Sequence, residues 1–310
     1  MSDEWASLFG YIFPSITSGQ TATANAYSSR LSAEVKDSVE EITPLSRQVQ
    51  SLHLDPVHSV PRYLEDTYLF EISAYIVTVE RSDNLSKGEF KIILSETIFH
   101  PQGGGQPSDV GWIFIDEDCQ FEVLFVQRNG SCIEHLGKFS RRGRAILEQY
   151  SNSPVTLRVD GRRRLENAKL HSAGHAIDAA IARCGLGEAM RPSKGYHFPD
   201  GPYVEYTCCL EDPLPPKLLE DLNVALLQMV NESIPTQVQV LSKTSARSVV
   251  GDDLALYPDQ VRIVTVAGLP CPCGGTHIRS TIELEGLIVT KIKRKQNLVR
   301  VSYTFNLMKT

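Results

Sequence analysis

From Tyr68 onward, apolar positions alternate with polar ones in short bursts. AYIVTVE (74–80), FKIILSE (90–96), GWIFID (111–116), FEVLFVQ (121–127) and PVTLRVD (154–160) are β-branched or aromatic runs broken by glycine and polar residues. Such runs predict short antiparallel strands forming a small barrel or sandwich that ends near residue 155. From Arg162 the period lengthens. Ala173, Ile177, Ala180, Ile181 and Cys184 recur at helical spacing, and Gly185 is placed to stop the helix. PPKLLEDLNVALLQMVNES (215–233) predicts another helix, and TQVQVL, VRIVTV, LIVTKIK and VRVSYTF predict strands. Helices among mostly antiparallel strands make an α+β chain: a small antiparallel β-barrel domain, then an α/β two-layer domain. Residues 14 to 60 are rich in Ser, Thr and Ala and hold no sustained period. They read as an extension with one short helix, from about Ser28 to Glu41. The expected division is therefore 1–60 as a poorly ordered or partly helical extension, 61–155 as the barrel, and 156–310 as the layered domain.

Composition narrows the class. The chain has 310 residues, 42% hydrophobic and 22% charged, enough for folded cores. A net charge of −6 means that any nucleic acid must be met by a local basic patch. Seven cysteines, an odd number, suit a reducing compartment better than a disulfide framework. No run of about eighteen apolar residues predicts a membrane span. Asp3 and Glu4 stand where a signal peptide needs positive charge, so a cytoplasmic location is expected.

Two short patterns carry chemistry. His171 and His175 are spaced i, i+4 and share a helix face. At ~100° per residue they point roughly 160–200° away from the Ala173/Ile177/Ala180/Cys184 stripe, so the helix could bury that stripe and turn both imidazoles to a cleft. Near the end of the chain, LPCPCGGTHIRS puts Cys273 and His277 four apart, with Gly274 and Gly275 between them for a tight turn. Three imidazoles and one thiol make a zinc-type ligand set, with Cys271 the weaker thiol. Residue 172 is Ser, so the glutamate base of an H-E-x-x-H protease is missing. An imidazole-rich site leans towards catalysis or substrate binding, although four protein ligands would close a tetrahedral zinc. A third pattern, FHPQGGGQPSDVGW (99–112), holds Gly103, Gly104 and Gly105 in an anion nest or a bent strand connection, and it is not a P-loop.

Together these patterns resemble the AlaX family, free-standing relatives of the editing domain of alanyl-tRNA synthetase. The resemblance is carried by YLEDTYLFEISA (63–74), HPQGGGQPSDVG, HSAGH (171–175), SKGYHFPDGPYVEY (193–206) and PCGGTHI (272–278), and it covers roughly residues 62 to 306. It implies that 156–310 is an editing domain in a trans-acting hydrolase that deacylates tRNA(Ala) mischarged with serine, and sometimes with glycine. It also implies one zinc per chain on His171, His175, Cys273 and His277. Ser193, just before Lys194, matches a position where relatives place a polar Thr or Gln near the substrate. Gln106 and the loop Gly103, Gly104, Gly105 would close over the same site. The implied partner is mischarged tRNA(Ala), with no membrane and no ATP-driven activation, and the oligomeric state is left open. Gly174 stands where the synthetase domain often has Thr, and the first sixty residues match none of the family's motifs.

Lys291, Lys293 and Lys295 alternate on a strand and share one face, a strip suited to phosphates. Arg162, Arg163, Arg164, Arg294 and Arg300 are further candidates. Asp109 and Asp178 read as solvated or capping groups rather than bases. Ser193 is the first choice for a group that hydrogen-bonds the seryl hydroxyl, which alanine would leave unpaired. The alternative function is a non-catalytic zinc-containing tRNA-binding module; a small-molecule zinc hydrolase is disfavoured by the missing glutamate.

Overall fold

The computed structural model describes residues 59–140, 150, 152–211, 213–251, 254 and 257–306. The expected helix near Ser28 lies outside the described residues. Apart from a 3-10 turn at Arg62–Leu64, the regular elements among the described residues of the first half are strands: β1 (Val60–Pro61), β2 (Glu71–Arg81), β3 (Phe90–Leu94), β4 (Glu96–Thr97), β5 (Gly111–Phe114), β6 (Gln120–Asn129), β7 (Cys132–Phe139) and β8 (Pro154–Val159). Six of them close into a barrel in the order β2-β3-β7-β6-β5-β8, with every neighbouring pair antiparallel. Its interior is filled by inward alternate residues such as Ile76, Ile92, Ile113, Phe121, Val123 and Leu157, all fully buried.

β7 is the barrel strand that the apolar pattern misses. Its sequence, CIEHLGKF, carries Glu and His where a core strand should be apolar. Both are buried, and both are satisfied. His135 bonds Thr97 Oγ1 at 2.7 Å and Ile92 O at 3.1 Å. Glu134 accepts from Gln127 and Asn129 and sits 3.4 Å from Lys91 Nζ.

The second half continues with α1 (Gly161–Arg183), β9 (Met190–Tyr196), β10 (Tyr203–Cys208), α2 (Leu218–Glu232), β11 (Gln237–Ser242), α3 (Lys243–Val250), β12 (Gln260–Val266), β13 (Leu269–Pro272), β14 (Leu287–Lys295) and β15 (Leu298–Phe305). Asp160 caps α1 by accepting the Arg163 N–H at 3.1 Å. Gly185, at φ 74°, ends it as expected. A four-stranded sheet, β14-β15-β10-β9, packs its inner face, including Val204, Tyr206, Val299, Val301 and Tyr303, against the layer holding α1 and α2. A three-stranded sheet, β11-β12-β13, lies alongside and carries α3. The chain is thus α+β with a barrel.

The helix α1 does not present one wet face. Leu170, His171, Ser172, Ala173, Gly174, Ala176 and Ile177 are all buried, because neighbours cover its middle turns on every side. One of the covering contacts overturns an expectation. Arg164 is not a solvated phosphate contact. It is fully buried; its Nε donates to both Asp109 oxygens at 3.1 and 3.0 Å, its Nη1 to Thr67 O at 3.0 Å, and its Nη2 to the Ile98 carbonyl. Asp109, also fully buried, is therefore neither solvated nor a free base. This pair fixes the start of α1 against the segment that carries the glycine loop.

Candidate metal centre

The glycine loop is a tight hairpin turn. Gly103 and Gln106 exchange both backbone hydrogen bonds, at 3.1 and 2.9 Å. Gly104 and Gly105 sit between them at φ 58° and 78°, the sign that a type I′ turn demands at both central positions. The turn delivers Gln106, which is fully buried.

Gln106 is spent on protein partners. Its Oε1 accepts the Thr276 N–H at 3.1 Å, and its Nε2 donates to Thr276 Oγ1 at 2.9 Å, which fixes the orientation of the amide. The same Oε1 lies 2.7 Å from His171 Nδ1. An oxygen only accepts, so Nδ1 carries the proton and His171 Nε2 keeps its lone pair. Gln106 thereby sets the tautomer of His171.

The loop bearing Cys273 and His277 is strapped from several sides. Arg262 Nη1 donates to Cys273 O at 2.6 Å and to Gly275 O at 3.3 Å. His277 N donates to Thr67 Oγ1 at 3.0 Å, and Ile278 N to Ser172 Oγ at 3.1 Å. The residue in the place of a protease glutamate is thus a backbone anchor. Gly275 is required for space rather than for its φ: a Cβ there would stand 2.1 Å from His171 Cε1.

These straps bring His171, His175, Cys273 and His277 together, with one potential ligand atom of each within 4.8 Å of all the others. Cys273 Sγ lies 3.5 Å from both His171 Nε2 and His277 Nε2. His175 Nε2 and His277 Nδ1 are buried without a hydrogen-bond partner, a cost that native proteins rarely carry without an ion or water to meet it. Burial, then the neighbouring imidazoles, hold His171 well below the usual histidine range. Burial, then His175 and Arg262, do the same for His277, and burial, then Arg262, push His175 down to about 4. Neutral imidazoles are what a metal needs. Burial pushes the Cys273 thiol up, opposed by the Gly275 N–H and Arg262. This donor set could hold a metal ion.

Behind His175 stands Asp178, whose Oδ2 is 4.0 Å from His175 Nδ1. Its Oδ1 accepts from Tyr206 OH at 2.6 Å. Burial raises its carboxyl to about 7, against the Tyr206 hydrogen bond. It is a half-buried neighbour of a candidate ligand, held by Tyr206, and not the solvated or capping group expected. We expect Gln106→Leu, which removes the partner of His171, to weaken metal affinity roughly 10–100-fold. Competitive chelator titration measures this.

Ser193 occupies the extra position of a bulge in β9, and its Oγ donates to Glu205 O at 3.0 Å. Lys194 is exposed on the outer face of the sheet. Register aligns Lys293, Arg300, Glu205 and Lys194 across four strands, and Lys295, Leu298, Thr207 and Arg191 in the next row. Lys291, Lys293 and Lys295 are exposed on this face as well. Arg300 donates to Glu205 Oε2 at 3.1 Å and lies 4.0 Å over the Tyr203 ring, which stacks on Tyr196. A cavity of about 120 Å³ opens beside His277, with Tyr68 and Arg279 on its wall. The groups that sequence reasoning missed are Arg262, Asp178 as a partner of His175, and His197, whose ring stacks on His171 at 4.9 Å. An arginine inside the apolar run VRIVTV was the one legible signal among them.

Comparison with known proteins gives the following. Residues 19–160 match the family described as tRNA synthetases class II (A). Over 250 residues the chain is 27% identical to alanyl-tRNA editing protein AlaX-L of Pyrococcus horikoshii, a match covering 78% of this chain and 57% of that protein. It is 26% identical over 253 residues to alanyl-tRNA editing protein AlaX-M of Methanosarcina barkeri, covering 78% and 96%. With alanine–tRNA ligase of Halobacterium salinarum it shares 26% identity over 241 residues, 76% of this chain and 24% of the ligase. The chain thus spans somewhat over half of the AlaX-L protein, nearly all of AlaX-M and about a quarter of the ligase.

Proposed function

From the similarity of this chain to alanyl-tRNA editing proteins, we propose that it is a zinc-dependent hydrolase acting in trans on tRNA(Ala), chiefly when mischarged with serine and secondarily with glycine. The observation that carries this reading is the convergence of three imidazoles and one thiol. Tetrahedral zinc with bonds of about 2.05 Å to nitrogen and 2.3 Å to sulfur separates N from S by about 3.6 Å. The two N···S distances of 3.5 Å support that ion. His171, His175, Cys273 and His277 would hold it, one per chain. When bound, zinc polarises an ester carbonyl and favours ionisation of water.

The chain's own residues do the positioning. Gln106 holds His171 in the metal-ready tautomer. Arg262 fixes the carbonyls of Cys273 and Gly275 and places positive charge behind the thiol. The turn of Gly103, Gly104 and Gly105 covers the cluster on the β9 side. We assign the cavity beside His277 to the 3′-terminal nucleotide, next to Tyr68 and the Arg279 guanidinium, which lie 3.9 Å apart. Ser193, whose hydroxyl donates to the Glu205 backbone carbonyl, keeps lone pairs to offer the aminoacyl group. The division at residue 155 enters the same proposal: 61–155 supplies Gln106, and 156–310 supplies the ligands. Four protein donors also suit a closed structural zinc, which favours the second reading, a non-catalytic tRNA-binding module.

The outer face of the β14-β15-β10-β9 sheet is the proposed RNA surface. It gathers Lys291, Lys293, Lys295, Arg300, Lys194 and Arg191 on a chain whose net charge is −6. Affinity for tRNA should fall as salt rises. Changing Lys291, Lys293 and Lys295 to alanine should lower the slope of log K against log salt by roughly 2–3 and raise KM more than it lowers kcat. An unchanged slope in the triple variant places the RNA on another surface. Hydrolysis of Ser-tRNA(Ala) with Ala-tRNA(Ala) spared tests the function itself.

A further inference from the structure

One imidazole at the cluster belongs to neither ligand motif. His197 follows β9 and is 5% exposed. Its backbone N–H donates to Gly105 O at 2.9 Å, which seats it under the glycine turn. Its ring lies 4.9 Å from that of His171, at 21° to it. His171 in turn stands 4.7 Å from His277, so it separates His197 from the cavity beside His277.

The hydrogen-bond network assigns the tautomer of His197. Tyr303 donates its single hydroxyl proton to Leu170 O, at 2.9 Å. The 2.7 Å contact between that hydroxyl and His197 Nδ1 therefore runs from Nδ1–H to the phenolic oxygen. Nε2 is left with the lone pair. It has no partner among the described residues, and unlike His175 Nε2 and His277 Nδ1 it is not sealed in the interior.

Two glycines let the backbone pass close against this ring. A Cβ on Gly195 would stand 2.4 Å from Nε2, and one on Gly174 would stand 2.4 Å from Cε1. Neither residue has one. A fixed acceptor with no partner among the described residues thus lies beside a candidate metal-ligand imidazole, on the side away from the proposed nucleotide cavity.

We propose that His197 Nε2 accepts a hydrogen bond from the β-hydroxyl of the seryl group, and so determines which aminoacyl ester is hydrolysed. This inference rests on the deacylase reading above. An ester carbonyl at the cluster, with its nucleotide at the His277 cavity, directs the amino-acid side chain towards His197. Alanyl and glycyl groups, lacking the hydroxyl, make no such bond and leave the acceptor to water, so the discrimination is worth about one neutral hydrogen bond.

The test measures kcat/KM on Ser-tRNA(Ala) and Gly-tRNA(Ala) for the full chain, His197→Phe and His197→Gln, with zinc content determined on each. Phenylalanine keeps a flat ring on His171 and removes the acceptor, and the Tyr303–Leu170 hydrogen bond does not need the imidazole. Glutamine returns an oxygen near the place of Nε2. The expected result is a roughly two- to tenfold loss on Ser-tRNA(Ala) in His197→Phe, with Gly-tRNA(Ala) turnover and zinc content kept and the loss recovered in part by His197→Gln. Equal losses on both substrates, an unchanged serine-to-glycine ratio, or zinc loss in His197→Phe overturns the inference and leaves the deacylase reading standing. If the unaltered chain hydrolyses neither ester, the deacylase reading has failed and this inference falls with it.

Discussion

Cys273→Ala is expected to purify without stoichiometric metal and to lose more than about 100-fold of its deacylation rate. Removing a neighbour that merely orients a metal ligand already costs roughly 10–100-fold in affinity or activity, and Cys273 is proposed as a ligand itself. Its sulfur is the shared neighbour of two imidazole nitrogens, each 3.5 Å away. Without it, His171, His175 and His277 remain as a buried neutral triad with no anion to balance a dication. The Cys273 N–H to Arg262 carbonyl bond, at 3.1 Å, does not depend on the side chain, so the strand should keep its course. Elemental analysis and circular dichroism on the same sample separate loss of metal from loss of fold. A variant with full metal and full activity would remove Cys273 from the site.

Arg164→Ala is expected to be the most destabilising single change in the chain. Its guanidinium is fully buried, and it serves Asp109, Thr67 O and Ile98 O together. Truncation leaves the Asp109 carboxylate buried and short of its main partner, with two carbonyls deprived of a donor. Breaking such a pair from one side costs about 3–5 kcal/mol, or roughly 6–20 °C in Tm for a domain of this size. The double change Arg164→Met with Asp109→Leu should cost less than Arg164→Ala, because it leaves no orphaned charge. Urea denaturation of both variants beside the unaltered chain measures this. A loss below about 1 kcal/mol in Arg164→Ala would mean that water reaches the pair.

The same arginine shows where sequence reading stops. In RRRLENAKLHSAGH, three consecutive arginines look like a solvated cluster, and Arg162 and Arg163 are indeed exposed. The reason that Arg164 is different lies at Asp109, 55 positions away. The four candidate ligands were legible because spacing encodes them: i, i+4 on a helix, and a C-x-x-x-H turn. Gln106 was a candidate through the family resemblance alone, and its hydrogen bond to His171 emerges only when the hairpin turn docks on α1. His197 lies in SKGYHFPDGPYVEY, which carries the resemblance, but nothing in the sequence assigned it a role: MRPSKGYHF breaks strand alternation with proline, lysine and glycine, and its ring reaches the cluster through tertiary packing. The barrel was visible in its alternating strands except β7, where Glu134 and His135 are buried polar groups that only their partners justify. The lysine strip was visible on one strand; Lys194 and Arg191 join it through register, which a single strand cannot reveal.

The most direct test of the account is deacylation of Ser-tRNA(Ala) and Ala-tRNA(Ala) by the full chain, with bound zinc counted on the same preparation. The account predicts about one zinc per chain, release of serine, sparing of Ala-tRNA(Ala), and activity that is lost on chelation and restored by zinc. Tight tRNA binding at full zinc occupancy, with no hydrolysis of Ser-tRNA(Ala) above the buffer rate, would contradict it and make the protein a binding module.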